Sequence, residues 1–119
     1  MKKADYRAGS IKQNATLNLL GMTLTEIRPD DEACKKLTSQ RCVAVLVAEW
    51  DSEAHRGGVR SGDIIAEVNN TKIRSLHDMK KILRHHDPHV PMLVLILNNG
   101  GWRFTTLSFI TGNPEGAGR

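Results

Sequence analysis

Aromatic residues are scarce in this sequence. Two tryptophans, two phenylalanines and one tyrosine make up 4% of 119 residues, so a core must be built from Val, Ile, Leu, Met and Ala. Trp50, Trp102, Phe104 and Phe109 lie outside basic clusters, which argues against a base-stacking nucleic-acid surface despite a net charge of +4. The cations are scattered, at Lys2-Lys3, Lys35-Lys36, Lys80-Lys81 and Arg84, as on solvated helix faces. No apolar run approaches the roughly 20 residues of a membrane-spanning helix. The start, MKKADYRAGS, has the charged front of a signal peptide but no apolar stretch behind it. If the protein is exported, its signal lies elsewhere, and this chain is expected to be a piece of a longer one. Cysteine is sparse too. Cys34 and Cys42 lack the C-x-x-C spacing of zinc or thioredoxin-type motifs. A chain of this length holds a core without a staple, so both are read as small buried thiols, although an oxidising compartment would let them pair.

Catalytic and cofactor motifs are also missing. Ser61 lies in GVRSGD, with Val59 and Asp63 where a nucleophile elbow needs glycines. No G-x-x-x-x-G-K-[ST] and no G-x-G-x-x-G after a strand is present, which excludes the common nucleotide-binding loops. The HHDPH segment holds His85, His86 and His89 beside Asp87. Adjacent histidines at a helix end diverge, a poor arrangement for one metal, and they suit the negative end of the helix dipole instead. No cofactor is expected; a metal-binding domain built on this cluster stays as an alternative.

What is present reads as a single small domain. Residues 1–17 are polar and aperiodic, a linker or tail. GMTLTEI (21–27) predicts a strand, and RPDDEACKKL (28–37), acids first and lysines last, a helix. CVAVLVAEW (42–50) predicts a buried strand, and DSEAHR (51–56) a short helical turn stopped by Gly57-Gly58. Gly62-Asp63 makes a turn, IIAEV (64–68) a strand, Asn69-Asn70 a turn, and Ile73 a short edge strand. Ser75 is an N-cap for LHDMKKILRHH (76–86), with Asp78 placed to reach back and Leu76, Met79, Ile82 and Leu83 on a helical stripe. MLVLIL (92–97) and WRFTTLSFI (102–110) form a hairpin across NNGG, and 111–119 is a disordered tail. The expected fold is α+β, a small, mainly antiparallel sandwich or barrel of five or six strands with two helices.

One further segment is shaped rather than reactive. In NLLGMTLTEI (18–27) a glycine stands between bulky apolar residues just before a strand. A sharp turn there would aim the amides around Gly21 into one concavity, an anion nest, beside a strand edge able to accept a guest. A plain turn into a strand is the bland reading of this segment by itself.

Leu19-Leu20-Gly21-Met22 resembles the carboxylate-binding loop of PDZ domains. Gly58-Val59-Arg60-Ser61-Gly62-Asp63-Ile64-Ile65 followed by Val68-Asn69-Asn70 resembles the family's G-L-x-x-G-D-x-I-x-x-V-N-G block, and Ser75–Leu83 its groove helix. The order is the family's, over residues 18–110. Within PDZ domains the chain resembles those of bacterial HtrA/Do-type (DegP/DegQ-like) serine proteases: Leu-Leu-Gly-Met in the loop, a helix near 30–37, and SLHDMKKIL as the groove helix. Glu53 in place of a usual Pro, and Asn70 in place of Gly, depart from the pattern. The closing hairpin near the C-terminus suggests a second, C-terminal PDZ domain.

The resemblance implies a non-catalytic module of a parent serine endopeptidase in the periplasm or cell envelope. It implies that Leu20, Gly21 and Met22 hold a peptide carboxylate, while Leu19, Thr23, Leu24, Thr25, Leu76, Met79, Lys80 and Leu83 line the groove for an extended, apolar peptide end, bound by strand addition. Lys80 would sit at the rim. Further implied partners are the protease domain and the other PDZ domain of an oligomeric parent, with neither nucleic acid nor a membrane span. The rival within this reading is an assembly module whose groove is covered by the 1–17 tail or by a neighbouring chain.

Overall fold

The computed structural model of the protein describes residues 15–27, 41–98 and 101–109. Along the chain these form β1 (Thr16–Leu19), β2 (Met22–Ile27), β3 (Cys42–Ala48), α1 (Glu53–Arg56), β4 (Ile64–Val68), β5 (Thr71–Lys72), α2 (Leu76–His85), β6 (Met92–Asn98) and β7 (Gly101–Leu107). The helix expected over 28–37, the Asn99-Gly100 turn and the 111–119 tail lie outside the described residues. The seven strands make one sheet in the order β1-β2-β3-β4-β6-β7, with β5 hydrogen-bonded to β4. Every pairing is antiparallel. The class is the expected α+β. The strand that raises the number to seven is β1, which begins at Thr16, inside the stretch read as tail.

The main core is aliphatic, as the lack of aromatics requires. Met22 and Leu24 of β2, Val43 and Val45 of β3, and Val94 and Ile96 of β6 meet Leu76 and Met79 of α2 on one face of the sheet. A smaller cluster of Cys42, Ala44, Ile64 and Leu97, joined by Ile27, packs together separately. This explains why the start of β3 reads as a continuous apolar run: Cys42 to Val45 are all buried, which requires cover on both faces. Cys42 is disulfide-bonded. The expected free thiol is therefore corrected at this position. Chain length removes the need for a staple but does not forbid one; Cys34 lies outside the described residues.

Local signals set the helices. The Ser52 hydroxyl caps α1 by accepting from the His55 amide, and the Gly57 amide closes its far end on the carbonyls of Glu53 and His55. In α2 the Ser75 hydroxyl accepts from the Asp78 amide at 3.0 Å, and the Asp78 carboxylate accepts from the Arg74 amide at 3.0 Å. This is the reciprocal cap anticipated from the sequence, displaced by one residue at the returning bond. Ser75→Ala is expected to lower stability by about 1 kcal/mol, seen as a lower urea midpoint with an unchanged slope. Ile73 follows β5 and is not part of it; its amide bonds to the Ala66 carbonyl at 3.0 Å while its side chain enters the core.

Candidate functional site

Gly21 and Leu20 form the two-residue turn between β1 and β2. Leu19 pairs directly with Met22, and Leu20 and Gly21 have φ of 54° and 90°, as a two-residue hairpin of the primed type requires. The turn is docked through its carbonyls: Leu20 accepts from the Ala54 amide at 3.0 Å and Gly21 from the Glu49 amide at 2.8 Å. Met22, the third residue expected to hold a carboxylate, starts β2 and is buried in the core.

β2 is flanked on both sides. β3 takes one edge, from Met22↔Ala48 to Ile27↔Cys42. β1 takes the other, with Thr16↔Thr25, Leu17↔Leu24, Asn18↔Thr23 and Leu19↔Met22. Leu17 and Leu19 thus lie opposite Leu24 and Met22 on the core face, half-buried against the main core. On the other face the Thr23 hydroxyl donates to Asn18 Oδ1 at 3.0 Å, and the Thr25 hydroxyl donates to the Ala15 carbonyl at 3.3 Å.

The remaining expected groove residues divide between surface and interior. Leu24, Leu76 and Met79 belong to the core, with Met79 fully buried; Leu19, Leu20 and Leu83 pack against it, half-buried. Lys80 is exposed. One contributor was not anticipated. Glu26, near the end of β2, accepts from the Leu76 amide at the start of α2 through Oε1 at 2.8 Å and from Arg41 through Oε2 at 3.1 Å. It ties the strand to the helix at one end of the groove, across 50 positions of sequence. A lone acid in a strand carries no signal of such a contact. β1 did leave one, the polar–apolar alternation Thr16-Leu17-Asn18-Leu19.

The Gly-Asp block is built as a brace. The Gly62 amide bonds to the Val45 carbonyl and the Val45 amide to the Asp63 carbonyl, each at 2.8 Å. The Asp63 carboxylate accepts from the Arg60 amide at 2.9 Å. Arg103 donates to the carbonyls of Gly57 at 3.2 Å and Gly58 at 2.8 Å. Nothing here points into the groove.

The histidines do not converge. No group of three or more His, Cys, Asp or Glu side chains among the described residues is arranged to hold a metal. His86 is used structurally: Nε2 lies 2.7 Å from the Val90 carbonyl, to which it donates, leaving Nδ1 to accept from Asn69 Nδ2 at 3.0 Å. A cavity of about 470 Å³ beside it is lined by the β4–β5 turn and α2, including Asn69, Lys72, Ile82 and His86, with no residue of β2. It is separate from the groove.

Residues 45–96 match the sequence model of the PDZ domain family. Among proteins of curated function, none matches the sequence. Three of the solved structures that share the fold are the following. The HtrA3 PDZ domain bound to a phage-derived ligand (FGRWV) is 17% identical, with a TM-score of 0.61 over 79% of this chain and 86% of that one. AlgW, an HtrA-type protease with a decapeptide, is 21% identical, with a TM-score of 0.63 over 91% of this chain and 34% of that one. The photosystem II D1 C-terminal processing protease is 25% identical, with a TM-score of 0.56 over 80% of this chain and 24% of that one. The chain thus spans about a quarter to a third of the two proteases.

Proposed function

We propose that this chain is a PDZ domain, the non-catalytic peptide-recognition module of an HtrA/Do-like serine protease, a reading supported by the family match over residues 45–96 and by the fold it shares with HtrA-type structures. It takes the C-terminal or extended apolar end of another polypeptide as a strand added to β2. The observation that carries this reading is the outer edge of β2. That edge sits beside α2, is tied to it by Glu26, and pairs with an antiparallel strand bearing leucine at alternate positions. The edge therefore has the geometry such a guest needs. The ligand on the HtrA3 PDZ domain, which also ends in apolar residues, supports the same chemistry here. The parent is an oligomeric protease of the periplasm or cell envelope, in which this domain contacts the protease domain and a second PDZ domain.

The test is an amide-shift NMR titration with peptides ending in Val, Leu or Phe, each with a free or an amidated C-terminus. Shifts at Leu20–Thr25 and Leu76–Leu83 are expected with the free carboxylate, at an affinity in the micromolar range, about −8 kcal/mol. A second reading has one observation in its favour, the seating of β1 on the groove strand: the domain serves assembly, and its groove stays closed. Absence of shifts with every peptide would select it.

A further inference from the structure

β1 lies where a guest strand would lie, and in a guest's orientation. It runs antiparallel to β2 with its C-terminal end, Leu19, at the Leu20-Gly21 turn. Its side chains alternate as a guest's would, Leu17 and Leu19 against the core and Thr16 and Asn18 in solvent. We propose that β1 is a built-in competitor, an intramolecular pseudo-ligand that must leave β2 before a peptide binds. This rests on the peptide-recognition reading and adds to it both a gate and a ligand pattern. The displacing peptide carries apolar side chains two residues apart, copying Leu17 and Leu19, with a free choice between them where Asn18 faces solvent.

Three observations make β1 displaceable. It is four residues long, and β2 is the strand it pairs with in the sheet, so its release leaves the β2–β3 pairing intact. Its two apolar side chains are half-buried, whereas Met22 and Leu24 opposite them are fully buried. Its turn also opposes it. Asn69-Asn70 also has two successive positive φ values, 51° and 67°, at the β4–β5 turn, with residues that tolerate that region. Leu20 at φ 54° is a bulky side chain held where it is disfavoured. Strain of this kind is released when β1 departs.

The gate has a quantitative signature. A binding-competent fraction of about one-tenth weakens the apparent affinity about tenfold, so opening the gate should recover that factor. The probe is a nonapeptide copying residues 11–19, with a free or an amidated carboxyl end, titrated into the full chain and into Leu17→Asp, which places a charge on the inward face of β1. The expected result is binding about tenfold tighter to Leu17→Asp, with shifts on β2 in both proteins. Equal affinity for the two would overturn the gate and leave peptide recognition standing. Binding to neither, with both folded, would overturn peptide recognition itself. Leu17→Ser, a milder change, serves if the aspartate variant fails to fold. Hydrogen exchange of the unaltered chain gives an independent reading: amides of Leu17 and Leu19 are expected to exchange at least tenfold faster than those of Val43 and Val45. Equal protection of the two strands would show that β1 does not open and would sink the proposal.

Discussion

Gly21→Ala is expected to lower stability by about 3 kcal/mol, one of the largest losses available to a single methyl group in this domain. Two independent costs combine. Gly21 sits at φ 90°, where any L side chain costs about 1–2 kcal/mol. A Cβ built there overlaps the Cβ and Oγ of Ser52 and stands 3.5 Å from its Cα; overpacking of this kind costs about 1–3 kcal/mol. Ser52 cannot simply swing away, because its hydroxyl donates to the Glu49 carbonyl at 2.8 Å and accepts from the His55 amide at 3.2 Å. At roughly 4–8 °C per kcal/mol for a domain of this size, the melting midpoint should fall by about 12–24 °C. The double variant Gly21→Ala with Ser52→Gly separates the costs. It removes the overlapping atoms at a cap cost of a few tenths of a kcal/mol, and so should recover the steric share but not the φ share. Additive losses in this cycle, or a Gly21→Ala loss under 1 kcal/mol, would mean that the turn is not held against Ser52 and that the groove's end is looser than its hydrogen bonds indicate.

That turn also marks where the sequence stops being legible. Patterns confined to one element were readable: the valine-rich β3, the Ser75 cap with Asp78 three residues on, and the hairpin of β6 and β7. Each rests on local chemistry that the chain states in order. The groove joins elements far apart in the chain, and there local chemistry is silent. Glu26 reaches the Leu76 amide 50 residues away, and no propensity encodes that. Leu76 and Met79 lie on the apolar stripe the sequence displays, but a stripe does not say whether its residues face the groove or the core; the fold places both in the core. β1 was hidden differently. Its four alternating residues reach only the shortest length at which alternation signals a strand, and they run straight on from a polar, aperiodic stretch. Gly21 invited a turn, but whether the turn opens an amide nest or closes a hairpin depends on the partner that the preceding residues find.

Asp63→Ala is expected to cost about 2–3 kcal/mol while leaving the pattern of peptide-induced shifts on β2 unchanged. Asp63 is 4% exposed, and its carboxylate accepts from the Arg60 amide at 2.9 Å. Alanine leaves that amide without its acceptor, a penalty of about 1–3 kcal/mol when the group is part-buried. The charge is the lesser effect. Arg103 approaches only to 3.9 Å with its side chain 37% exposed, so solvent screens the pair to about 1 kcal/mol or less, and its hydrogen bonds go to the carbonyls of Gly57 and Gly58. Asp63→Asn keeps an oxygen for the Arg60 amide and should therefore lose about 1 kcal/mol. Equal losses for the two variants would move the weight from the turn bond to the charge. The shift pattern carries the functional half. Gly62 and Asp63 are bonded to Val45 of β3, whose strand in turn holds β2, so the block acts on the groove only by keeping the sheet in register. A folded Asp63→Ala protein with peptide shifts moved away from β2 would contradict that, and would place the Gly-Asp block among the residues that meet the guest.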